Sequence, residues 1–331
     1  MLRNAPSHET RKSYPHETRF ATNETKMDCT VCDEPAVLRQ AYSGKHLCET
    51  HLYESVESRV KSRVRDDNLL EGEETWVVGV SGGKDSSVLL DVLARTFEHN
   101  PSVEIIALTL DEGIEGYRDD AIEASRELAD TLGVRHEVVE FEDEFGVRVD
   151  DEVESADGKP CSYCGVFRRT ALNRHAERLG ATKLLMGHNL DDVAGTALMN
   201  FLDGGVDRMA RHYSASLSTE ETDAFVRRAK PLRDVPEKEV AVYAQLKDLP
   251  VYLEECPNAE GATRRDAHEL LMEYERRHPG TRHSIVAAYE RIASQLDWSD
   301  TEVGACDRCG EPTSVENELC RACSMLAEVA D

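Results

Sequence analysis

The sequence predicts an α/β protein, with a parallel-sheet core covered by helices and a small metal-holding module at each end. Three observations carry this. Short apolar runs alternate with helical segments from Thr75 onward. A Gly-rich turn, Ser81-Gly82-Gly83-Lys84-Asp85-Ser86, joins the first apolar run to the helix after it. Cysteines gather in x2-spaced pairs before and after the core.

Residues 1–26 mix His, Glu, Thr, Arg, Pro and Asn without a periodic apolar face, the pattern of a disordered tail. Met27 directly precedes the first cysteine, so the tail reads either as an extension from an upstream start codon or as a flexible arm. Residues 27–52 are the first cysteine-rich module, and 53–72 a linking helix in which Val56, Val60 and Val64 recur every four residues. The core spans 73–255. Its strands are expected at Trp76–Val80, Ile105–Leu110, Val134–Phe141 and Lys183–Gly187, and its helices at Ser86–Phe97, Tyr117–Leu132, Val166–Leu179 and Asp191–Leu202. This alternation predicts parallel strands with both sheet faces covered. Residues 204–224 read as a loop. Helices are expected at Pro236–Leu249, Thr263–Arg277 and Ile285–Leu296, with a short strand at Val251-Tyr252-Leu253. Residues 256–300 thus complete the core, and 301–331 form the second cysteine-rich module.

Composition bounds the function classes. Acidic residues number 65 against 39 basic, a net charge of −26, and 29 of the 39 are Arg. Such a charge ordinarily opposes nucleic-acid binding. It also fits adaptation to a very salty, halophilic cytosol, since a Debye length of about 3 Å at 1 M salt mutes self-repulsion. An RNA partner would then need local basic patches, and three are present: Arg59, Lys61, Arg63 and Arg65; Arg168, Arg169, Arg174 and Arg178; Arg227, Arg228, Lys230 and Arg233. Each reads equally as a solvated helix face paired with acids. The longest run without a charged side chain, Val193–Leu202, is too short to span a bilayer, and no apolar segment follows the start. A cytoplasmic protein without a membrane partner is expected.

The ten cysteines fall into three groups. Cys306-x2-Cys309-x10-Cys320-x2-Cys323 has the spacing of a four-thiolate zinc knuckle. Cys29-x2-Cys32-x15-Cys48-x2-His51 offers three thiolates and an imidazole, with His46 as a rival fourth ligand. Neither module is large enough to bury a core, so two Zn²⁺ ions would supply the folding energy. The third group, Cys161, Cys164 and the distant Cys256, has no fourth partner. Three thiolates fit an iron–sulfur cluster with one open iron, a redox pair with a spare nucleophile, or inert cysteines.

Glycines between strand and helix let backbone N–H groups face an anion, and the helix N-terminus adds positive potential. Ser81, Gly82, Gly83, Lys84, Asp85 and Ser86 therefore read as a phosphate cradle, although the Walker A spacing is missing. Asp111-Glu112-Gly113-Ile114 and Gly187-His188-Asn189-Leu190-Asp191-Asp192 follow strand ends, where α/β sheets place ligands. Asp111, Gly187 and His188 are candidate nucleotide contacts. Asp192 is a candidate Mg²⁺ or catalytic carboxylate, or simply a helix cap.

SGGKDS resembles the loop of the PP-loop (N-type) ATP pyrophosphatases, which cleave ATP to AMP and pyrophosphate while adenylating a substrate. Cys161-Ser162-Tyr163-Cys164-Gly165 and Gly187–Asp192 are similar to the tRNA 2-thiolation branch of that family, and the landmarks run in order from Met27 to the C-terminus. Within the branch, Cys48-Glu49-Thr50-His51, Leu253–Ala259 and Pro279-Gly280-Thr281-Arg282 look more like the uridine-54 2-thiolases than the wobble-uridine (position 34) enzymes. The resemblance implies tRNA as substrate, ATP with Mg²⁺, and a [4Fe-4S] cluster on Cys161, Cys164 and Cys256. It further implies Asp192 as catalytic aspartate. The sulfur donor would be the C-terminal thiocarboxylate of a ubiquitin-like carrier protein, or sulfide. A homodimer is left open. Arg168 stands where uridine-54 enzymes carry Lys; its pKa makes it a poor proton carrier, so it reads as an electrostatic clamp. The reading of another class is a zinc-dependent RNA-binding protein without catalysis.

Overall fold

The computed structural model describes residues 27–152, 160–205, 226–259, 263–295 and 303–330. The tail 1–26, nearly all of the expected loop 204–224 and the end of the last core helix lie outside them.

A two-stranded antiparallel ribbon, β1 (Leu38–Gln40) and β2 (Lys45–Leu47), leads into helix α1 (Glu49–Asp66). The helix begins inside the cysteine module rather than after it, with Cys48 at its N-cap. Leu52, Val56, Val60 and Val64 are its buried stripe, as their four-residue spacing requires. The core then runs β3 (Glu74–Gly79), α2 (Lys84–Phe97), β4 (Val103–Asp111), α3 (Arg118–Leu132), β5 (Arg135–Glu140), the short α4 (Phe141–Phe145) and α5 (Val149–Glu152), α6 (Pro160–Arg178), β6 (Lys183–Met186), α7 (Leu190–Leu202), β7 (Arg227–Ala229) and α8 (Glu237–Leu246). An α9–α10 hairpin (Thr263–Arg277, Thr281–Ala293) follows, then the ribbon β8 (Val303–Ala305) and β9 (Pro312–Ser314), and α11 (Arg321–Ala330).

All pairings in the five-stranded sheet, ordered β5-β4-β3-β6-β7, are parallel. From central β3 the chain builds outward through β4 and β5, then returns to build β6 and β7 on the other side. The order reverses between β3 and β6, and the crevice at their C-terminal ends is where such sheets bind ligands.

Alternating residues of β3 serve the two faces. Trp76 and Val78 join α1, α2 and α8, together with Leu38 and Leu47 of the first module. Val77 joins Phe167 and Ala171 of α6, together with Met325 and Cys306, Cys320 and Cys323 of the second module. The two modules therefore pack on opposite faces of one sheet. A small third cluster seats α9 and α10 on α7 through Leu190, Val193, Leu271 and Val286.

Two expectations change. Val251-Tyr252-Leu253 is not a strand; its backbone is spent on the phosphate loop, where the Tyr252 N–H donates to the Gly82 carbonyl at 2.8 Å. The fifth strand is instead Arg227–Ala229, whose basic sequence hid it. An edge strand with one neighbour has no need of an all-apolar run. The CxxC helix also starts earlier than its apolar pattern suggested, at Pro160, which puts Cys161 and Cys164 in its first turns.

Candidate functional site

The phosphate loop closes between β3 and α2. The Ser81 N–H donates to Ser86 Oγ at 3.1 Å, Ser86 Oγ donates to the Gly83 carbonyl at 3.1 Å, and the Gly83 N–H reaches Ser81 Oγ at 3.4 Å. Gly82 has φ +82°, and a Cβ there would lie 2.3 Å from the Ala121 carbonyl oxygen, so only glycine fits. At Gly187 a Cβ would lie 2.8 Å from the Ser86 backbone, so the Gly187–Asp192 loop rests directly on the phosphate loop. Asn189 Nδ2 ties them further, donating to Asp85 Oδ1 at 2.9 Å.

Lys84 is held by two carboxylates, Asp85 at 2.9 Å and Glu237 at 2.8 Å. Burial alone would lower the Lys84 ammonium, but the two acids outweigh it and hold its pKa above the ordinary value. Glu237, at the start of α8, is in turn fixed by its own N–H, which donates to Asp191 Oδ2 at 2.9 Å. The other Asp191 oxygen accepts from Arg282. Asp191, Glu237 and His268 bring potential ligand atoms within 4.8 Å of one another, but Lys84 and Arg282 already neutralise the carboxylates. The arrangement is an ion-pair network joining the α9–α10 hairpin to the phosphate loop. Asp192 shares a capping box with Asn189, its carboxylate accepting the Asn189 N–H at 3.1 Å.

At the next strand end, Asp111 Oδ1 caps the Gly113 N–H at 2.9 Å, and it is the neighbouring Glu112 that reaches inward. Glu112, 3% exposed, binds Arg168 on one side and Arg118, at 2.6 Å, on the other. Arg118 continues to the Ser81 carbonyl at 3.2 Å. Burial would lower the Arg168 guanidinium, but Glu112 more than compensates, so Arg168 is a permanent cation and not a proton carrier. It stands beside Cys164, whose thiol burial pushes up to about 11 against the pull of Arg168. Cys161 Sγ donates to the Asn258 carbonyl at 3.0 Å, which brings the α6 start to the segment carrying Cys256. Cys256 also lies near enough to Tyr117 to help burial raise its phenol. Cys161 and Cys256 both lie near enough to Cys164 to help raise its thiol, and the three are not among the sets whose ligand atoms all lie within 4.8 Å of one another. A continuous chain runs from Cys164 through Arg168, Glu112 and Arg118 to the phosphate loop.

The two outer cysteine sets close as their spacing predicts. Cys29, Cys32, Cys48 and His51 have ligand atoms within 4.8 Å of one another, as do Cys306, Cys309, Cys320 and Cys323. Cys32 and Cys48 sulfurs lie 3.6 Å apart, as do those of Cys309 and Cys320. Four sulfurs about 2.3 Å from one ion sit about 3.8 Å apart, so the sets fit zinc. The modules use one device. Cys48 and His51 open α1, Cys320 and Cys323 open α11, and a tight turn supplies the other pair. His46 belongs to β2 and is not among the ligands.

Most of the basic patches are spent on acids. Arg59 binds Glu239, Arg63 binds Asp234, Arg174 binds Glu144 and Glu311, and Arg233 binds Asp67 and Glu290. Glu112, Arg118, Glu237 and Arg282 were missed as site residues by sequence reading. Glu112 carried a local signal, within Asp111–Ile114, and Arg282 stood in the Pro279–Arg282 motif without being read as a site residue; Arg118 and Glu237 have no motif.

Comparison with known proteins agrees with this geometry. Residues 52–270 match the PP-loop domain, and residues 28–53 match the N-terminal LIM domain of 2-thiouridine synthetase TtuA. The chain is 49% identical over 325 residues to the tRNA 2-thiolation protein NcsA of Haloferax volcanii, covering 92% of this chain and 99% of that one. It is 35% identical over 301 residues to the cytoplasmic tRNA 2-thiolation protein 1 of Aspergillus niger, covering 90% and 87%. Among solved structures it resembles the U34-tRNA thiolase NcsA from Methanococcus maripaludis with its [4Fe-4S] cluster, at TM-score 0.80 and 33% identity over 90% of this chain and 95% of that one. No helix among the described residues is long and apolar enough to cross a membrane. With its phosphate loop, ligand crevice and these relatives in agreement, the chain belongs to the PP-loop ATP pyrophosphatase family, as a tRNA 2-thiolation sulfurtransferase.

Proposed function

We propose that this chain replaces the C2 oxygen of the wobble uridine, position 34, by sulfur at the expense of ATP. The observation that supports the chemistry is the connected chain from Cys164 through Arg168, Glu112 and Arg118 to Ser81; on our reading its two ends are a sulfur site and a nucleotide site. The choice of uridine rests on the Methanococcus maripaludis neighbour named as a U34 thiolase. Uridine 54 is the second reading, carried by His51 and the Pro279–Arg282 turn. Those features have structural employment: His51 sits in the zinc set, and Glu275 accepts the N–H groups of Gly280 at 2.7 Å and Arg282 at 2.9 Å.

Oxide is too poor a leaving group to be displaced directly, so activation comes first. The uracil C2 oxygen attacks the α-phosphorus of ATP, the bond to pyrophosphate breaks, and the base becomes an O-adenylate. Hydrosulfide then adds at C2 and AMP leaves with the former carbonyl oxygen. The loop N–H groups and the α2 N-terminus would bind the phosphates, and Lys84 would exchange one of its two carboxylates for the departing pyrophosphate. Ser81, Gly82, Gly83, Asp85 and Ser86 shape that cradle, and Gly187 and His188 border it. Asp192 is our candidate to share the Mg²⁺ that accompanies ATP, with Asp111 as a neighbour holding its loop. Cys161, Cys164 and Cys256 would hold a [4Fe-4S] cluster, which supplies an open iron to carry sulfide. Arg168 keeps positive charge next to those thiolates. The two modules would each hold one Zn²⁺. The donor is a carrier-protein thiocarboxylate or sulfide, and the setting a salt-adapted archaeal cytoplasm.

The test is single-turnover thiolation of unmodified tRNA by anaerobic protein with ATP, Mg²⁺ and sulfide, the nucleoside mapped by mass spectrometry. Sulfur at position 34 with AMP and pyrophosphate is expected. ADP and phosphate would refute the chemistry, and sulfur at 54 alone would refute the choice of uridine. Activity in iron-free protein would refute the cluster.

A further inference from the structure

Arg169 of α6 and Arg228 of β7 belong to the basic patches and have no acidic partner among the described residues. They come from different patches, 59 residues apart, and the fold puts them together. Arg228 stands opposite Leu184 in the parallel β6–β7 register, hence on the sheet face that α6 covers, where Leu184 packs with Phe167 and Ala171. There Arg228 Nη2 donates to the Arg169 carbonyl at 2.9 Å. Burial lowers the pKa of both, and the like charge of Arg169 helps bring Arg228 down to about 10. Three neighbouring arginines are held differently. Arg168 and Arg174 are raised by acids, and Arg233 by Asp67 and Glu290.

Two like charges brought near each other with no acid between them are unfavourable, and a chain carrying −26 has ample acid with which to cancel them. We infer that Arg169 and Arg228 form a binding fork for a backbone phosphate of the RNA substrate. Planar guanidinium groups match the geometry of a phosphate, which favours RNA over a carboxylate-bearing protein surface. Location favours it too. Arg169 follows Cys164 by five residues, about 7.5 Å along the helix axis, and adjoins Arg168, which faces the crevice. A phosphate gripped here would anchor the strand next to a nucleotide whose base must leave its stack to react. The inference rests on the reading of tRNA as substrate.

The test compares wild type, R169Q/R228Q and R169K/R228K, each full-length and zinc-loaded, for tRNA affinity over a KCl series, with ATP affinity and melting temperature as controls. The Gln pair is expected to weaken tRNA binding about tenfold or more and to flatten the salt dependence by about one to two released ions. ATP affinity and melting should hold, and the Lys pair should recover most of the loss. Unchanged tRNA affinity and salt slope in the Gln pair would overturn the inference while leaving the function intact. Lost melting stability or ATP affinity would overturn it in favour of a structural role. Unchanged tRNA binding with loss of thiolation only from the carrier thiocarboxylate, and not from free sulfide, would overturn it in favour of protein docking. Wild type that binds no tRNA would refute the functional reading and this inference with it.

Discussion

Arg282→Gln tests whether the α9–α10 hairpin is latched to the nucleotide site by charge. Asp191 is 3% exposed and Arg282 14%, so the pair is largely out of water. Removing one partner of a buried pair costs about 3–5 kcal/mol, because the survivor stays buried and uncompensated. Asp191 retains the Glu237 N–H at 2.9 Å, and Glu275 retains its two backbone donors, which puts the cost near the lower figure, about 3 kcal/mol. That is a factor of about 150 in an opening equilibrium. The apolar contacts under the hairpin form two small clusters separate from the main cores, Leu271, Ile285 and Val286 against Leu190, Val193, Ala194 and Leu198, and Tyr289 against Ala197, so the loss should appear as local opening before global unfolding. Amide hydrogen exchange of residues 263–293 should accelerate by about two orders of magnitude, with the sheet unaffected. Asp191→Asn in the same chain removes the orphaned charge and should restore exchange to within about tenfold of wild type. Acceleration below threefold in Arg282→Gln, or a double variant as fast as the single, would refute the reasoning.

Lys84→Ala removes the cation that Asp85 and Glu237 hold ready; tRNA-dependent release of pyrophosphate should fall by about 10²–10³, with the melting temperature little changed. Cys309→Ser should reduce tightly bound zinc from two ions per chain to one and lower the melting temperature more than ATP affinity, which metal analysis and thermal unfolding will show. Acid stability should depend on Glu144. Burial would raise its carboxyl, but Arg174, His175 and Arg178 pull it down to about 2. Because the folded value lies below the unfolded one, its contribution is complete above about pH 4.5 and is lost as pH falls toward 2. A Glu144→Gln variant should therefore show a shallower loss of stability over that window in acid titrations of urea unfolding; an unchanged slope would exclude Glu144 as the titrating group.

By itself the sequence determined whatever depends on neighbours along the chain. An apolar stripe every fourth residue, such as Leu52, Val56, Val60 and Val64, is its own instruction to form a helix. Cysteine and histidine pairs separated by two residues can converge on one point, so both candidate metal sets were legible. SGGKDS between strand and helix announced an anion cradle for the same local reason. The tertiary structure decided what depends on the order of strands. Sheet order put β6 beside β3 and so laid Gly187 on Ser86, a contact across 101 residues that no spacing encodes. It made Arg227–Ala229 a strand through a single neighbour, against its polar composition, and turned Val251–Leu253 into a brace for the phosphate loop. It also sorted the arginines. Charge neutralisation acts through space over a few ångströms, so which guanidinium groups meet an acid and which meet each other is fixed only once the chain has folded.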